Sequence, residues 1–157
     1  MAEKLIFDDG IKEYEVNGRE LLRFNPSDPN VYNRFCELYE ELSRLEESYE
    51  AELKKLEAET TDDDMESSGK ALKLMHDIDA KVKTRLSYVF GEGNDFDRIM
   101  GGVNLMAIGK NGERIVTNLL AALQPIIEDG IRQHQSDAAA KAVAAAKLNR
   151  EQRRTKK

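Results

Sequence analysis

The chain has 157 residues, of which 40% are hydrophobic and 34% are charged, and this composition is typical of one helix-rich domain with a well-solvated surface. The sequence predicts no membrane-spanning helix and no signal peptide, because it has no apolar run of about 18 residues and no apolar N-terminal core. Its single cysteine, Cys36, excludes an internal disulfide. Since Cys36 lies among apolar helix positions, we expect a buried thiol in a reducing cytosol.

The net charge of −6 is unevenly distributed along the chain. Residues 137–157 contain seven bases and two acids, a net charge of +5, so the first 136 residues carry −11. An acidic body repels phosphate, so a nucleic-acid role would depend on this basic tail. The tail has no aromatic residue on which bases could stack, which makes nucleic-acid binding an alternative rather than the favoured function.

The first 24 residues have the pattern of β structure. Asp9-Gly10 and Asn17-Gly18 both suit two-residue hairpin turns, where the central residues need positive φ. Three strands are therefore predicted, near residues 4–8, 11–16 and 19–24. They would form an antiparallel meander, which needs helices against one face or pairing with another copy.

Two apolar stripes predict a helical hairpin over residues 29–90. Asp28 can cap the first helix and Pro29 suits its first position. The first stripe continues for about three heptads in a helix of about thirty residues: Phe35, Leu38, Leu42, Leu45, Tyr49 and Leu56. The second stripe follows an acid-rich loop within residues 59–70: Ala71, Met75, Ile78, Val82, Leu86 and Val89. The short connection favours antiparallel packing within one chain, and a coiled-coil seam with another subunit is the alternative.

Four of the ten glycines lie in "VFGEGNDFDRIMGG", residues 89–102. A dinucleotide-binding loop needs a third glycine where this chain has Phe96, and the chain contains no Gly-Lys-Ser/Thr triplet of a phosphate-binding loop. A calcium loop would need oxygen ligands at alternating positions, but Asp95 and Asp97 are followed by Ile99. None of the three templates fits.

The same stretch instead predicts a joint between helices, within residues 91–112. Gly91 and Gly93 allow the chain to turn, and Asn94 or Asp95 can cap a short helix that Gly101-Gly102 ends. Elsewhere, His76 and His134 lack a second ligand at metal spacing, and the chain has no G-x-S-x-G nucleophile motif. The sequence predicts no catalytic, cofactor-binding or metal-binding residues, and a protein that is not an enzyme.

A further helix is predicted within residues 113–133, with a broad apolar face that includes Ile115, Leu119 and Ile127. Pro125 should kink or divide it. Residues 137–157 are rich in alanine and should form a helix that frays into a basic, partly disordered tail. The predicted fold is α+β and mainly helical, with a single domain at residues 1–136.

The ordered stretches "FNPSDPNVYNRF", "VFGEGNDFDRIMGGVN" and "LLAALQPII", which follow an N-terminal β segment, make the chain resemble the tail assembly chaperones of long-tailed phages and prophages of Gram-positive bacteria. The resemblance extends over residues 20 to about 130. No single motif is diagnostic of the family.

The resemblance implies a protein of the host cytoplasm that is absent from the mature virion. It implies binding to the helical tape-measure protein and recruitment of tail-tube proteins around it. Such genes often also produce a longer form by ribosomal frameshifting. Lys156-Lys157 is compatible with an A-rich slippery codon run, but it equally suits an ordinary lysine-ended tail.

Client contacts are predicted for exposed members of one apolar set around the glycine joint: Phe90, Phe96, Ile99, Met100 and Met106. The alternative is that these residues close the core over the helical hairpin. Self-association of the chain is a further expectation. At the level of function, the other alternative is a structural tail or head-completion protein that forms an oligomeric ring.

Overall fold

The computed structural model describes residues 1–58 and 64–155 and has the α+β, mainly helical architecture that the sequence predicts. Its elements in chain order are β1 (Lys12–Val16), β2 (Glu20–Phe24), α1 (Pro29–Ala58), α2 (Asp64–Phe90), α3 (Phe96–Ile99) and α4 (Ile115–Thr155). Within these described ranges, no helix has both the length and the hydrophobicity needed to cross a bilayer.

The two strands form an antiparallel hairpin in which Tyr14 pairs with Leu22 and Lys12 with Phe24. Asn17 and Gly18 adopt positive φ values of 51° and 71°, as predicted for the Asn-Gly turn. The hairpin places Leu22 and Phe24 in the core, and the ring of Tyr14 stacks on that of Phe24 at 5.1 Å.

The third strand predicted at residues 4–8 is wrong, because the sheet of the described chain has two strands. Around the Asp9-Gly10 pair, two carboxylates accept hydrogen bonds from nearby backbone amides. Asp8 Oδ1 accepts from Gly10 N, and Asp9 Oδ1 accepts from Ile11 N. Asn25 Nδ2 also donates to the Asp9 carbonyl at 3.1 Å. These side-chain bonds compete with a hairpin turn, so the chain does not fold back along β1.

Helix α1 has the predicted start and length. Asp28 Oδ1 accepts from the backbone amide of Asn30 at 2.9 Å, which caps the first turn, and Pro29 is the first of its 30 residues. Its buried side chains belong to the predicted stripe, with Val31 added one turn earlier: Val31, Phe35, Leu38, Leu42 and Tyr49.

Helix α2 packs antiparallel to α1, as the sequence predicts for a hairpin within one chain. Arg85 forms two hydrogen bonds with the Glu41 carboxylate, at 2.7 and 2.6 Å, and Arg34 lies 5.0 Å above the ring of Tyr88. The buried residues Ile78, Val82, Leu86 and Val89 come from the predicted stripe.

The acid-rich loop predicted at residues 59–70 is wrong for residues 64–70, which are already helical. Polar composition suits an exposed helix as well as a loop, and Ser68, Gly69 and Lys70 are exposed in α2. The remainder of that predicted loop, residues 59–63, lies outside the described residues.

The aromatic part of the core is centred on Phe90, the last residue of α2. The Phe90 ring lies 4.8 Å from that of Phe24 and 5.8 Å from that of Phe96, between centroids, and Phe35 of α1 completes the group at 6.3 Å. The hairpin, α1, α2 and α3 therefore share one core.

Helix α4 contributes Val116, Leu120, Leu123 and Ile127 to this core. It continues through Pro125, which therefore does not divide it. Pro125 is exposed, so water can satisfy the carbonyl that loses its helical partner. Beyond residue 131 the side chains of α4 are exposed as far as residue 154, so the C-terminal half extends as a helical arm of about 35 Å at 1.5 Å per residue.

Candidate binding surfaces

The five residues predicted to contact a client have no exposed member. Phe90, Met100, Ile99, Phe96 and Met106 expose between 1% and 5% of their surface. All five belong to the hydrophobic core, as in the alternative that the sequence left open. In this conformation they support the fold and do not provide a docking surface, so a contact surface has to be sought elsewhere.

The glycine-rich stretch forms the predicted joint. Gly91 turns the chain with φ of 115°, and Asp95 caps α3 by accepting from the amides of Asp97 and Arg98. Gly101 and Gly102, with φ of 66° and 75°, end the short helix. The joint brings α3 against the end of α2 and against β2.

The sequence predicts Asn94 and Asp95 as two candidates to cap α3, but Asp95 is the cap and Asn94 makes other contacts. Its Oδ1 accepts from Arg23 N at 2.9 Å, and its Nδ2 donates to Arg23 O at 2.8 Å and to Phe90 O at 3.0 Å. The side chain thus joins the backbone of β2 to the end of α2. Sequence reasoning missed this contact, because nothing in a short polar stretch identifies a partner 71 residues away.

A partly buried charge network connects α2, α3 and the loop before α4. Lys83 Nζ donates to Asp79 Oδ2 at 2.8 Å and to Asp97 Oδ1 at 2.7 Å, while Asp79 Oδ1 accepts from Leu105 N. Burial alone would lower the pKa of Lys83, but the hydrogen bonds and charges of Asp79 and Asp97 outweigh it and raise the pKa above its ordinary value. Lys83 is therefore a charged structural link and lacks the lone pair of a nucleophilic amine.

The other reactive side chains offer little chemistry. Cys36 is exposed, so the predicted burial is wrong: it lies on the solvent side of α1, next to the buried Phe35. His76 is exposed, and its neighbour Asp79 bonds to Lys83 and Leu105 instead. Among residues 1–58 and 64–155, no group of three or more His, Cys, Asp or Glu side chains is placed to hold a metal ion.

An open groove of about 560 Å³ runs along the helical hairpin, and we call it the hairpin groove. Leu45 of α1 and Ala80 of α2 lie along it, and the long side chains of Arg44, Lys81 and Arg85 flank them. The aliphatic parts of these long side chains contribute to an apolar floor of the groove, and their charged ends form its polar rim. These features are suited to the side of a helix that carries both apolar and charged residues.

A second groove of about 390 Å³ lies between the β-hairpin and α4, and we call it the β1–α4 groove. Tyr14 and Val16 line it from β1, and Ile115, Leu119 and Ile126 line it from α4. These five side chains are only partly buried. Glu15 is the one charged residue among those that line it.

The comparisons with known proteins identify no relative: no protein-family model, curated protein or solved structure matches the chain. The features of the chain that bear on function are therefore the two grooves, the basic arm of α4 and the residues that carry the family resemblance.

Proposed function

We propose that the chain is a phage tail assembly chaperone that binds the helical tape-measure protein in the hairpin groove and helps to recruit tail-tube proteins. The observation that carries the proposal is the groove itself, an open surface with an apolar floor and a charged rim on the antiparallel pair of α1 and α2. The ordered resemblance of residues 20 to about 130 to that family supports the same function. On this account the protein acts in the host cytoplasm and does not remain in the virion.

The physical basis of client binding is a groove that accepts one side of an amphipathic helix. Leu45 and Ala80 would contact the apolar residues of the client, and Arg44 and Lys81 would contact its acidic residues. Arg85 remains paired with Glu41, which also lines the groove. One such groove buries little surface, so a single contact is weak. Several copies bound along one extended client would provide the avidity that holds the complex together.

The test uses purified chain and helical fragments of the tape-measure protein, with binding measured by fluorescence anisotropy. Ala80→Glu places a bulky charge in the groove, and we expect affinity to fall about tenfold, equivalent to about 1.4 kcal/mol. Ala121→Glu is the matched control, because Ala121 is also an exposed helical alanine but lies outside the groove. Equal affinities for the two variants would contradict binding in the hairpin groove.

The basic arm of α4 favours nucleic-acid binding as a second candidate. Lys147, Arg150 and Arg154 recur at spacings of three and four residues, which places them on one helical face, and all three are exposed. Deleting residues 147–157 tests this function. Loss of salt-sensitive DNA or RNA retention on deletion would support it, and equal retention by both proteins would exclude it.

The resemblance also implies a longer, frameshifted form of the chain. Reading the last dozen codons of the gene tests this directly. A slippery heptamer with an overlapping reading frame is the expected result, and its absence would rule the longer form out.

A further inference from the structure

The N-terminal segment exposes three consecutive large apolar residues. Leu5, Ile6 and Phe7 expose 86%, 87% and 72% of their surface. Burying such a side chain is worth about 1.5–3 kcal/mol, so leaving three in water forgoes a substantial gain. Their composition also favours an extended strand.

The sheet has one open edge. Asn94 occupies part of the outer edge of β2, because it bonds to both the amide and the carbonyl of Arg23. Strand β1 pairs with β2 alone in the described part of the chain, so its other edge has backbone groups available for a further strand.

The β1–α4 groove adjoins the strand that has this open edge. Tyr14, Glu15 and Val16 of β1 line it, together with the turn residue Asn17 and with Leu22, the partner of Tyr14 in β2. The groove therefore lies against the sheet face that Tyr14 and Leu22 share and reaches β1. Leu119 and Ile126 of α4 form the other side. A strand added to β1 would therefore place alternate side chains against α4.

The chain's own N-terminal segment does not pair with β1. Asn25, which follows β2, donates from Nδ2 to the Asp9 carbonyl at 3.1 Å. Gly10 lies so close to the same side chain that an added Cβ would be 2.6 Å from Asn25 Nδ2. These contacts hold residues 9 and 10 beside Asn25, so the chain enters β1 without turning back along its open edge.

We propose that residues 4–8 of one copy pair with β1 of a second copy, and that the exchange is reciprocal and forms a two-fold dimer. Leu5 and Phe7 are two residues apart, so they point to the same face of the added strand and enter the β1–α4 groove of the second copy. Lys4 precedes them and complements Glu15, the charged residue of the groove. Each copy then has a three-stranded sheet, with one strand supplied by its partner.

The first test measures mass by light scattering over a concentration series. Full-length chain should form a dimer, and Leu5→Asp/Phe7→Asp should weaken dimerisation by at least about a hundredfold. Both residues are exposed in the single chain, so the substitutions should leave its fold intact. Leu148→Asp is the control, because Leu148 is an exposed apolar residue on the arm of α4. A wild-type chain that is monomeric throughout, or a dimer that the double substitution does not weaken, would overturn the proposal.

The second test identifies the contact. In a Cys36→Ser background, Phe7→Cys and Ala122→Cys are made in separate chains, which are mixed and oxidised. Ala122 lines the groove and its exposed neighbour Ala121 does not. Phe7→Cys should form a mixed disulfide in high yield with Ala122→Cys and in low yield with Ala121→Cys. Equal yields at the two positions would overturn the proposal.

Discussion

Asn94 forms a paired contact with the backbone of Arg23, accepting from its amide at 2.9 Å and donating to its carbonyl at 2.8 Å. One side chain thus makes the two hydrogen bonds that a neighbouring strand residue would make. A third bond, to Phe90 O at 3.0 Å, connects the pair to the end of α2. The glycine joint is in this way fixed to the β-hairpin.

Asn94→Ala should lower the free energy of unfolding by about 2–4 kcal/mol, because it leaves several part-buried backbone groups without partners. Urea denaturation followed by circular dichroism measures the change. Asn33→Ala, at an exposed position of α1, is the control and should change stability by less than about 0.5 kcal/mol. Equal effects of the two substitutions would show that the Asn94 contact contributes little.

Lys83→Met should destabilise the fold by about 3 kcal/mol, because it leaves the buried Asp79 carboxylate without its cation. The expected loss is at the low end of the range for a buried ion pair, because the second partner of Lys83, Asp97, keeps 70% of its side-chain surface exposed. Adding Asp79→Asn should restore part of the loss, because asparagine keeps an acceptor for Leu105 N and carries no charge. No recovery in the double variant would argue against an electrostatic cause.

The pH dependence of this network follows from the raised pKa of Lys83. A raised pKa in the folded state means that the folded chain holds the proton more tightly than the unfolded chain. The stabilisation is therefore complete below the unfolded pKa of about 10.4 and is lost as pH rises through the higher folded value. Urea midpoints measured from pH 8 to 11.5 should fall less steeply above about pH 10 in Lys83→Met than in wild type. Parallel curves would contradict this assignment.

Gly130→Ala should destabilise the chain by about 1–3 kcal/mol, because the added Cβ would clash with the carbonyl of Pro26. Gly69 is a matched control in α2, where an added Cβ meets nothing within 4 Å. Gly69→Ala should be neutral or stabilising by up to about 1 kcal/mol, through helix propensity. Thermal unfolding compares the two, and only Gly130→Ala is expected to lower the melting temperature. A neutral Gly130→Ala would show that α4 and the chain before α1 can separate without cost.

Much of this fold could be predicted because local signals agreed with tertiary packing. The stripe in α1 has the spacing that buries Phe35, Leu38 and Leu42, and Asp95 caps α3 from the position that the glycine pattern indicates. These signals depend on neighbours within about one or two helical turns, where sequence spacing fixes geometry.

The errors have different physical origins, some of them local and some of them distant in sequence. The Asp9-Gly10 pair suits a hairpin turn, but its neighbouring carboxylates and Asn25 bond to the local backbone instead. Cys36 follows the buried Phe35 by one residue, and one position turns a helical side chain by about 100°, here into solvent. The apolar set at the glycine joint could either contact a client or close the core, and its burial around Phe90 favours the core.

The measurement that tests the central claim most directly is a pull-down through an N-terminal affinity tag from cells that express the tail genes. Bound proteins are identified by mass spectrometry, with wild type, Ala80→Glu and Ala121→Glu compared side by side. The account predicts recovery of the tape-measure protein with wild type and Ala121→Glu, and a clear loss with Ala80→Glu. Recovery of the chain alone, or only of nucleic acid that high salt removes, would contradict it.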